Sequence, residues 1–334
     1  LLEIALNALP PQLRRDLYEA SANLLEPRAP ENPTLWATVA QHLFHAGLLK
    51  REPNARRNAA KSALDRTATS LNEALFHLNR SLELEPTDQL TKMLLAEKVL
   101  IPQGDVQGAL ALLDQQHQPE KDPAFLRVWS IARRINGDID LARNGLHCAL
   151  SMDVDKLEAA RIHNELGNVE NESGELVKAL EHHRQALFYY QQIGDSVGIS
   201  RSLNNQGVVH WKHNDSTNAL RCYQQALETS TDLGRAMTLA NIGLIHLDRQ
   251  RFELAQEAMQ KALTLHTEVG SITGQANSLL NLGIICSQSE QYEEGARHYQ
   301  KAHDLFGLLG NRARQGLVMT NLAFSMVASG DGKR

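Results

Sequence analysis

Four asparagines stand at one position of a returning phrase: Asn205-Gln206-Gly207, Asn241-Ile242-Gly243, Asn281-Leu282-Gly283 and Asn321-Leu322-Ala323. Each carboxamide offers two N–H donors and a carbonyl acceptor, so a row of them can hold the main chain of an extended peptide whatever its side chains. Asparagine is a poor helix-interior residue unless its amide has a partner, which makes four in register informative. Other chemistry is sparse. His210 and His213, like His42 and His45, are three apart and could share an ion, but no third ligand stands in register. His210 and His246 occupy equivalent places in the phrase, which points to packing, so no metal site and no cofactor is expected. There is no G-x-x-x-x-G-K-[ST], because Gly332-Lys333 runs into Arg334 without the upstream glycine. H-E-x-x-H and the nucleophile elbow are also missing, and the chain reads as non-catalytic.

The elements that carry these asparagines follow from the spacing. Small residues lie 12 and 19 positions beyond each glycine: Ala219 and Ala226, Ala255 and Ala262, Gly295 and Ala302. Leu203, Gly207 and Val208 form one helical face, and Ala219, Tyr223, Ala226 and Leu227 another. The polar turn His213-Asn214-Asp215-Ser216 separates them, with counterparts at Glu172-Ser173-Gly174-Glu175, Arg249-Gln250-Arg251 and Ser289-Glu290-Gln291. Gly194, Gly234, Gly270 and Gly310 are read as left-handed C-caps, followed by Asp195 or Ser196, Ser271 and Asn311 as N-caps. The unit is helix–turn–helix–turn, and one such unit cannot bury its own apolar face. The step from 207 to 243 is four residues shorter than the next two. The shortfall is expected after Gly234, where Arg235 takes the place of an N-cap residue: either the next helix starts a turn late or a few residues are missing there.

This pattern resembles the tetratricopeptide repeat, in the longer variant of kinesin light chains and Leu-Gly-Asn-repeat cell-polarity adaptors. The family's small positions fall on Gly207, Ala219 and Ala226, and the match covers roughly residues 71–330. The resemblance implies an all-α, right-handed α-α superhelix whose first helices line a concave wall. It also implies that asparagines at this position hold the main chain of a bound segment. Shorter units precede the long ones, with Ala74, Ala109, Ala142 and Ala179 leading to Ala219, and Gly104-Asp105 and Gly137-Asp138 marking early turns. We expect residues 1–70 to form a helical arm and 71–334 to form one continuous solenoid of about seven units, the last incomplete. Leu1 at the start and the stop at Arg334 inside a unit suggest a portion of a longer protein. In the arm, Leu9-Pro10-Pro11 opens a helix with Leu13, Leu17, Ala20 and Leu24 on one stripe, a second helix is closed by Gly47, and a third carries Arg56, Arg57, Lys61 and Arg66 as a solvated basic face. The arm resembles the helical segment that joins the ATPase module to the repeats in STAND-type regulators.

Helical geometry places further side chains on the wall with the asparagines. Around Asn205 these are Arg201, Val208 and Lys212; around Asn241, Met237, Leu244 and Asp248; around Asn281, Asn277, Ile284 and Gln288. Asn204 and Asn164 stand one position away and extend the polar strip, and Trp211 has no aromatic counterpart in the other units. Two readings stay open. The amides grip a partner, or each bonds the neighbouring repeat; likewise Trp211 is a hot spot or a core plug.

Composition limits the partners. A net charge of −5 over 334 residues, with no basic stripe through the repeats, disfavours nucleic acid. No run approaches the ~20 apolar residues of a membrane helix, and no leader is visible. Cys148, Cys222 and Cys286 are odd in number and scattered, and are read as buried fillers in a reducing, cytoplasmic setting. The expected function is a scaffold binding a protein or extended peptide in its groove. The alternative is the sensor arm of a STAND-type ATPase, taking a protein or a small-molecule effector.

Overall fold

The computed structural model describes residues 9–66, 71–114 and 122–329. Among them every regular element is helical and none is a strand. Two compact units divide the chain, Leu1–His117 and Gln118–Arg334. The arm-to-repeat boundary expected at residue 70 falls outside the described residues.

In the first unit α1 (Pro11–Leu25), α2 (Leu35–Ala46), α3 (Glu52–Arg66) and α4 (Leu71–Leu84) pack in sequence. Pro11 sits in the first turn of α1, where a missing N–H costs nothing, and Gly47 closes α2 at φ 76°. The stripe expected on α1 is largely exposed at Leu13, Leu17 and Leu24; its buried residue is Ala22. The basic face expected on α3 is also corrected. Arg56 is buried, and its guanidinium lies 2.9 Å from the wholly buried carboxylate of Glu52, which also meets Arg80 at 3.4 Å. Arg57 pairs with Asp88 across the helices. An unpaired charge at such depth would be costly, so these arginines are internal ion-pair partners of Glu52 and Asp88. Beyond α4, α5 (Gln89–Leu95) runs on through a π-turn (Ala96–Leu100) and a closing turn (Ile101–Gln103) to α6 (Val106–Leu113).

The second unit is a stack of antiparallel pairs: α7 (Pro123–Asn136) with α8 (Ile139–Leu150), α9 (Lys156–Glu172) with α10 (Leu176–Ile193), α11 (Ser196–Lys212) with α12 (Ser216–Thr229), α13 (Asp232–Asp248) with α14 (Phe252–Glu268), and α15 (Ile272–Gln288) with α16 (Tyr292–Leu308). Helix α17 (Arg312–Ala328) follows. The alanines that set the period, Ala142, Ala179, Ala219 and Ala255, have no exposed surface. Two of the helix glycines, Gly207 and Gly283, face large rings. A Cβ on Gly207 would lie 2.4 Å from Tyr223, and one on Gly283 would lie 2.5 Å from Tyr299.

The short unit is organised differently from the expectation. Gly194, Gly270 and Gly310 take φ of 68–70°, but Gly234 lies inside α13 and is not a cap. Helix α13 keeps the full 17 residues of α9, α11, α15 and α17, and its N-cap is Thr231. The missing turn comes off the end of α12, which has 14 residues where α14 and α16 have 17. Ser230 ends it with φ −81° and ψ 143°, so no left-handed glycine is needed.

Candidate binding face

First helices of successive pairs touch one another, α9 with α11, α11 with α13, α13 with α15 and α15 with α17, and second helices do not approach their equivalents as closely. Elements nearer each other in a curved stack lie on its inner side, so the odd-numbered helices form the inner wall. The four asparagines all lie on these helices and are half-buried.

Their amides split into two kinds. Asn205 donates from Nδ2 to Oδ1 of Asn164 at 2.9 Å and lies 3.5 Å from Oδ1 of Asn168. Asn241 donates to Oδ1 of Asn204 at 2.9 Å. Both main acceptors are buried, at 4% and 7% exposure, and each stands three residues before the glycine or alanine position of the preceding unit. In the next two units that place is held by Ala240 and Leu280, which have no acceptor in the side chain. Accordingly no described residue hydrogen-bonds the side chains of Asn281 and Asn321. Asn205 and Asn241 thus bond the preceding unit, and the amides of Asn281 and Asn321 are open.

The neighbours divide in the same way. Arg201, Lys212, Met237, Asp248 and Gln288 are exposed. Asn277 accepts a hydrogen bond from Arg314 at 3.3 Å. Val208, Leu244 and Ile284 are half-buried and pack on the hydrophobic clusters beneath. Trp211 rests on the cluster of Ala219, Tyr223 and Ile245, as a core plug would. Where α12 stops early, a cleft of about 80 Å³ opens between α11 and α13, lined by Val197, Arg201, Asn204, Asn205, Leu233 and Met237. Sequence reasoning missed this cleft, although its signal was the four-residue shortfall.

The histidines are not where the spacing suggested chemistry. His210 faces Asp215 at 3.4 Å. A close pair is His163 with His182, whose Nδ1 atoms are 3.1 Å apart between α9 and α10. Burial, then the neighbouring His182 and His147, holds His163 down to about 4. His183 points the other way into the core, and burial followed by His182 holds it down to about 3. Of the cysteines, Cys222 and Cys286 are buried as expected, and Cys148 is exposed.

The sequence model of the Tetratricopeptide repeat family matches residues 158–232 and 234–307. These are tetratricopeptide repeats. No curated protein matches the chain by sequence. Among solved structures, the Rap protein complexed with Competence and Sporulation Factor has a TM-score of 0.60 at 14% identity, covering 84% of this chain and 83% of that one. A Signal Transduction ATPase with Numerous Domains (STAND) protein with a tetratricopeptide repeat sensor, from Pyrococcus horikoshii, has a TM-score of 0.56 at 18% identity. That match covers 83% of this chain, which spans 43% of the length of the Pyrococcus protein. At these identities both likenesses are of fold. Outside the family match, α7–α8 and α17 pack on these repeats as further helices of the same stack. No described helix is long and apolar enough to cross a membrane.

Proposed function

We propose that the tetratricopeptide solenoid of residues 156–328 is a non-catalytic binding module that holds an extended segment of a protein along its inner wall. The observation that carries this reading is the pair of half-buried amides at Asn281 and Asn321, which lie on inner-wall helices and lack an internal partner. Both amides reach solvent, and a peptide main chain would replace that water with a donor and an acceptor of its own. Asn205 and Asn241 contribute less, because one donor of each is already taken. The exposed side chains Arg201, Met237, Lys212, Asp248 and Gln288 change from unit to unit and would supply selectivity, with the cleft beside Met237 as a seat for an apolar side chain. Tetratricopeptide stacks in general present such extended concave surfaces. The Rap protein in its complex with Competence and Sporulation Factor is compatible with this use of the fold.

The test is to select a binder from a displayed library of extended peptides and titrate it calorimetrically. Replacing Asn281 and Asn321 together by Ala should weaken the selected peptide by about 5- to 150-fold, as two hydrogen bonds at about 0.5–1.5 kcal/mol each would. The Asn205→Ala and Asn241→Ala pair should instead lower the melting temperature and leave the affinity of the folded fraction near wild type. Equal affinity in wild type and the Asn281/Asn321 double variant would end this reading.

A second reading is that these repeats are the sensor portion of a STAND-type regulator. It is supported by the likeness to the Pyrococcus protein, which extends well beyond residues 158–307, and by the helices of the first unit. A Walker A strand–loop–helix upstream in the full-length sequence would favour it; a full-length chain without one would remove it.

A further inference from the structure

Cys286 on α15 and Glu294 and His298 on α16 bring a thiol sulfur, a carboxylate oxygen and an imidazole nitrogen within 4.8 Å of one another. Among the described residues no other group of three such side chains comes so close. We propose that Cys286, Glu294 and His298 bind a divalent ion of the zinc class.

The fold builds the trio in two steps. Glu294 and His298 are one turn apart on α16, so both project from the same face, with Oε1 and Nε2 3.7 Å apart. Cys286 lies beneath them because α15 and α16 approach closely at two glycines. A Cβ on Gly295 would lie 3.2 Å from the carbonyl oxygen of Gly283 and 3.5 Å from the Cβ of Cys286. The sulfur is thereby held against the turn that carries both other ligands. Nε2 of His298 faces Glu294 and is the nitrogen the ion would take, while Nδ1 is buried without a hydrogen-bond partner.

The donor set decides the class of ion. Zinc bonds of about 2.0–2.3 Å to S, N and O put tetrahedral ligand atoms roughly 3.3–3.8 Å apart, so the trio has only to close by about 1 Å through side-chain rotation. Thiolate and carboxylate together balance a dication, and a soft sulfur beside an imidazole favours zinc or cobalt over magnesium or calcium. Glu294 is half exposed, which leaves a path for the ion and room for a water as the fourth ligand. Binding forms the Cys286 Sγ–metal bond and releases the thiol proton to solvent.

Cobalt(II) is the probe, added to the whole chain under reducing conditions. The expected result is one equivalent bound, with the near-ultraviolet thiolate-to-cobalt charge-transfer band and the visible bands of tetrahedral cobalt. Cys286→Ser should abolish the charge-transfer band, and Cys148→Ser and Cys222→Ser should keep it. Glu294→Gln, a change at a half-exposed position that leaves the core intact, should weaken cobalt at least about tenfold, since even outer-shell changes at metal sites cost that much. His298→Gln should do the same. A chain that binds no cobalt at millimolar concentration, a band that survives Cys286→Ser, or an affinity unmoved by Glu294→Gln would each overturn the proposal. Any of these would leave Glu294 and His298 as a surface pair over a buried thiol.

Discussion

The stretch from α9 to α13 and the stretch from α13 to α17 carry the same residue at the same repeat position and use it differently. In the first, Asn205 and Asn241 reach back to Asn164 and Asn204 and tie one unit to the next. In the second, the equivalent places are held by Ala240 and Leu280, and the amides of Asn281 and Asn321 stay open. The role of a repeated side chain is thus set by a different position in the preceding unit. Buried polar groups that find a partner consolidate a stack, and those that do not are available to a ligand. The turns differ in parallel. The left-handed turn residue is Gly174 and Asn214 in the earlier units, and Gln250 and Glu290, at φ 55° and 63°, in the later ones.

The largest effect expected concerns packing that both stretches share. Gly207→Leu and Gly283→Leu would drive a side chain into the rings of Tyr223 and Tyr299, and each should cost more than the ~1–3 kcal/mol of ordinary overpacking. Gly243 faces the flexible end of Met259 at 3.3 Å and the carbonyl oxygen of Ala255 at 3.2 Å, so Gly243→Ala should be clearly milder. Denaturant melts of the three variants check this. Unequal losses at Gly207 and Gly283 would mean the two stretches differ in their packing as well as in their amides.

Acid should separate the stretches next. His183 fills, in the α9–α10 pair, the slot that Tyr223 and Tyr299 fill later, and neither ring nitrogen has a partner. Its folded value of about 3 lies below the unfolded value near 6.5, so the folded state holds fewer protons in between. The contribution is complete above about pH 6.5 and is lost progressively as pH falls toward 3. His163, held to about 4 by burial and its histidine neighbours, adds to the loss over the same window. Hydrogen exchange at pH 5 should find α9 and α10 opening more readily than at pH 7, relative to α15 and α16. His183→Tyr should remove part of that pH dependence; a variant with the wild-type profile would assign it elsewhere.

Smaller again is the amide contrast measured without ligand. Asn164→Ala and Asn204→Ala each remove a buried acceptor and strand an amide, and should cost about 1–3 kcal/mol. Asn281→Ala and Asn321→Ala remove no internal bond and should stay within about 0.5 kcal/mol. Thermal melts that failed to rank the two pairs this way would dissolve the distinction on which the binding face rests.

Much of the fold was legible because periodicity reports burial directly. The alanines at 142, 179, 219 and 255, the caps at Asp195, Ser271 and Asn311, and the turns at Gly104 and Gly137 follow from spacing and local chemistry alone. The short unit was misplaced because Gly234 mimics a C-cap in sequence, and only the backbone places it in the first turn of α13. Arg56 and Arg57 looked solvated because their partners, Glu52 and Asp88, are recognisable only once the helices are packed. The split among the asparagines was out of reach for the same reason. It depends on contacts across some 37–41 residues, whereas the motif spans three. The Cys286–Glu294–His298 group had a visible half, Glu294 and His298 one turn apart, but nothing in the sequence set the thiol beneath it.

The smallest effect sharpens the comparison at the turns. A left-handed residue with a Cβ costs roughly 1–2 kcal/mol relative to glycine in the same conformation, less for asparagine, whose short side chain tolerates it. Glycine gives some of this back, because it has more freedom to lose on folding. Gln250→Gly and Glu290→Gly should therefore raise stability by about 0.5–1 kcal/mol each, and Asn214→Gly by less. Gly174→Ala, at φ 80°, should lower it. If the gain appears at 250 and 290 and is near zero at 214, the later stretch is the softer one, carrying both open amides and strained turns. A binding wall that must adapt to a partner is drawn from such low-stability segments. If all three glycine substitutions gain equally, the turns do not distinguish the stretches, and the difference between them rests on the amides alone.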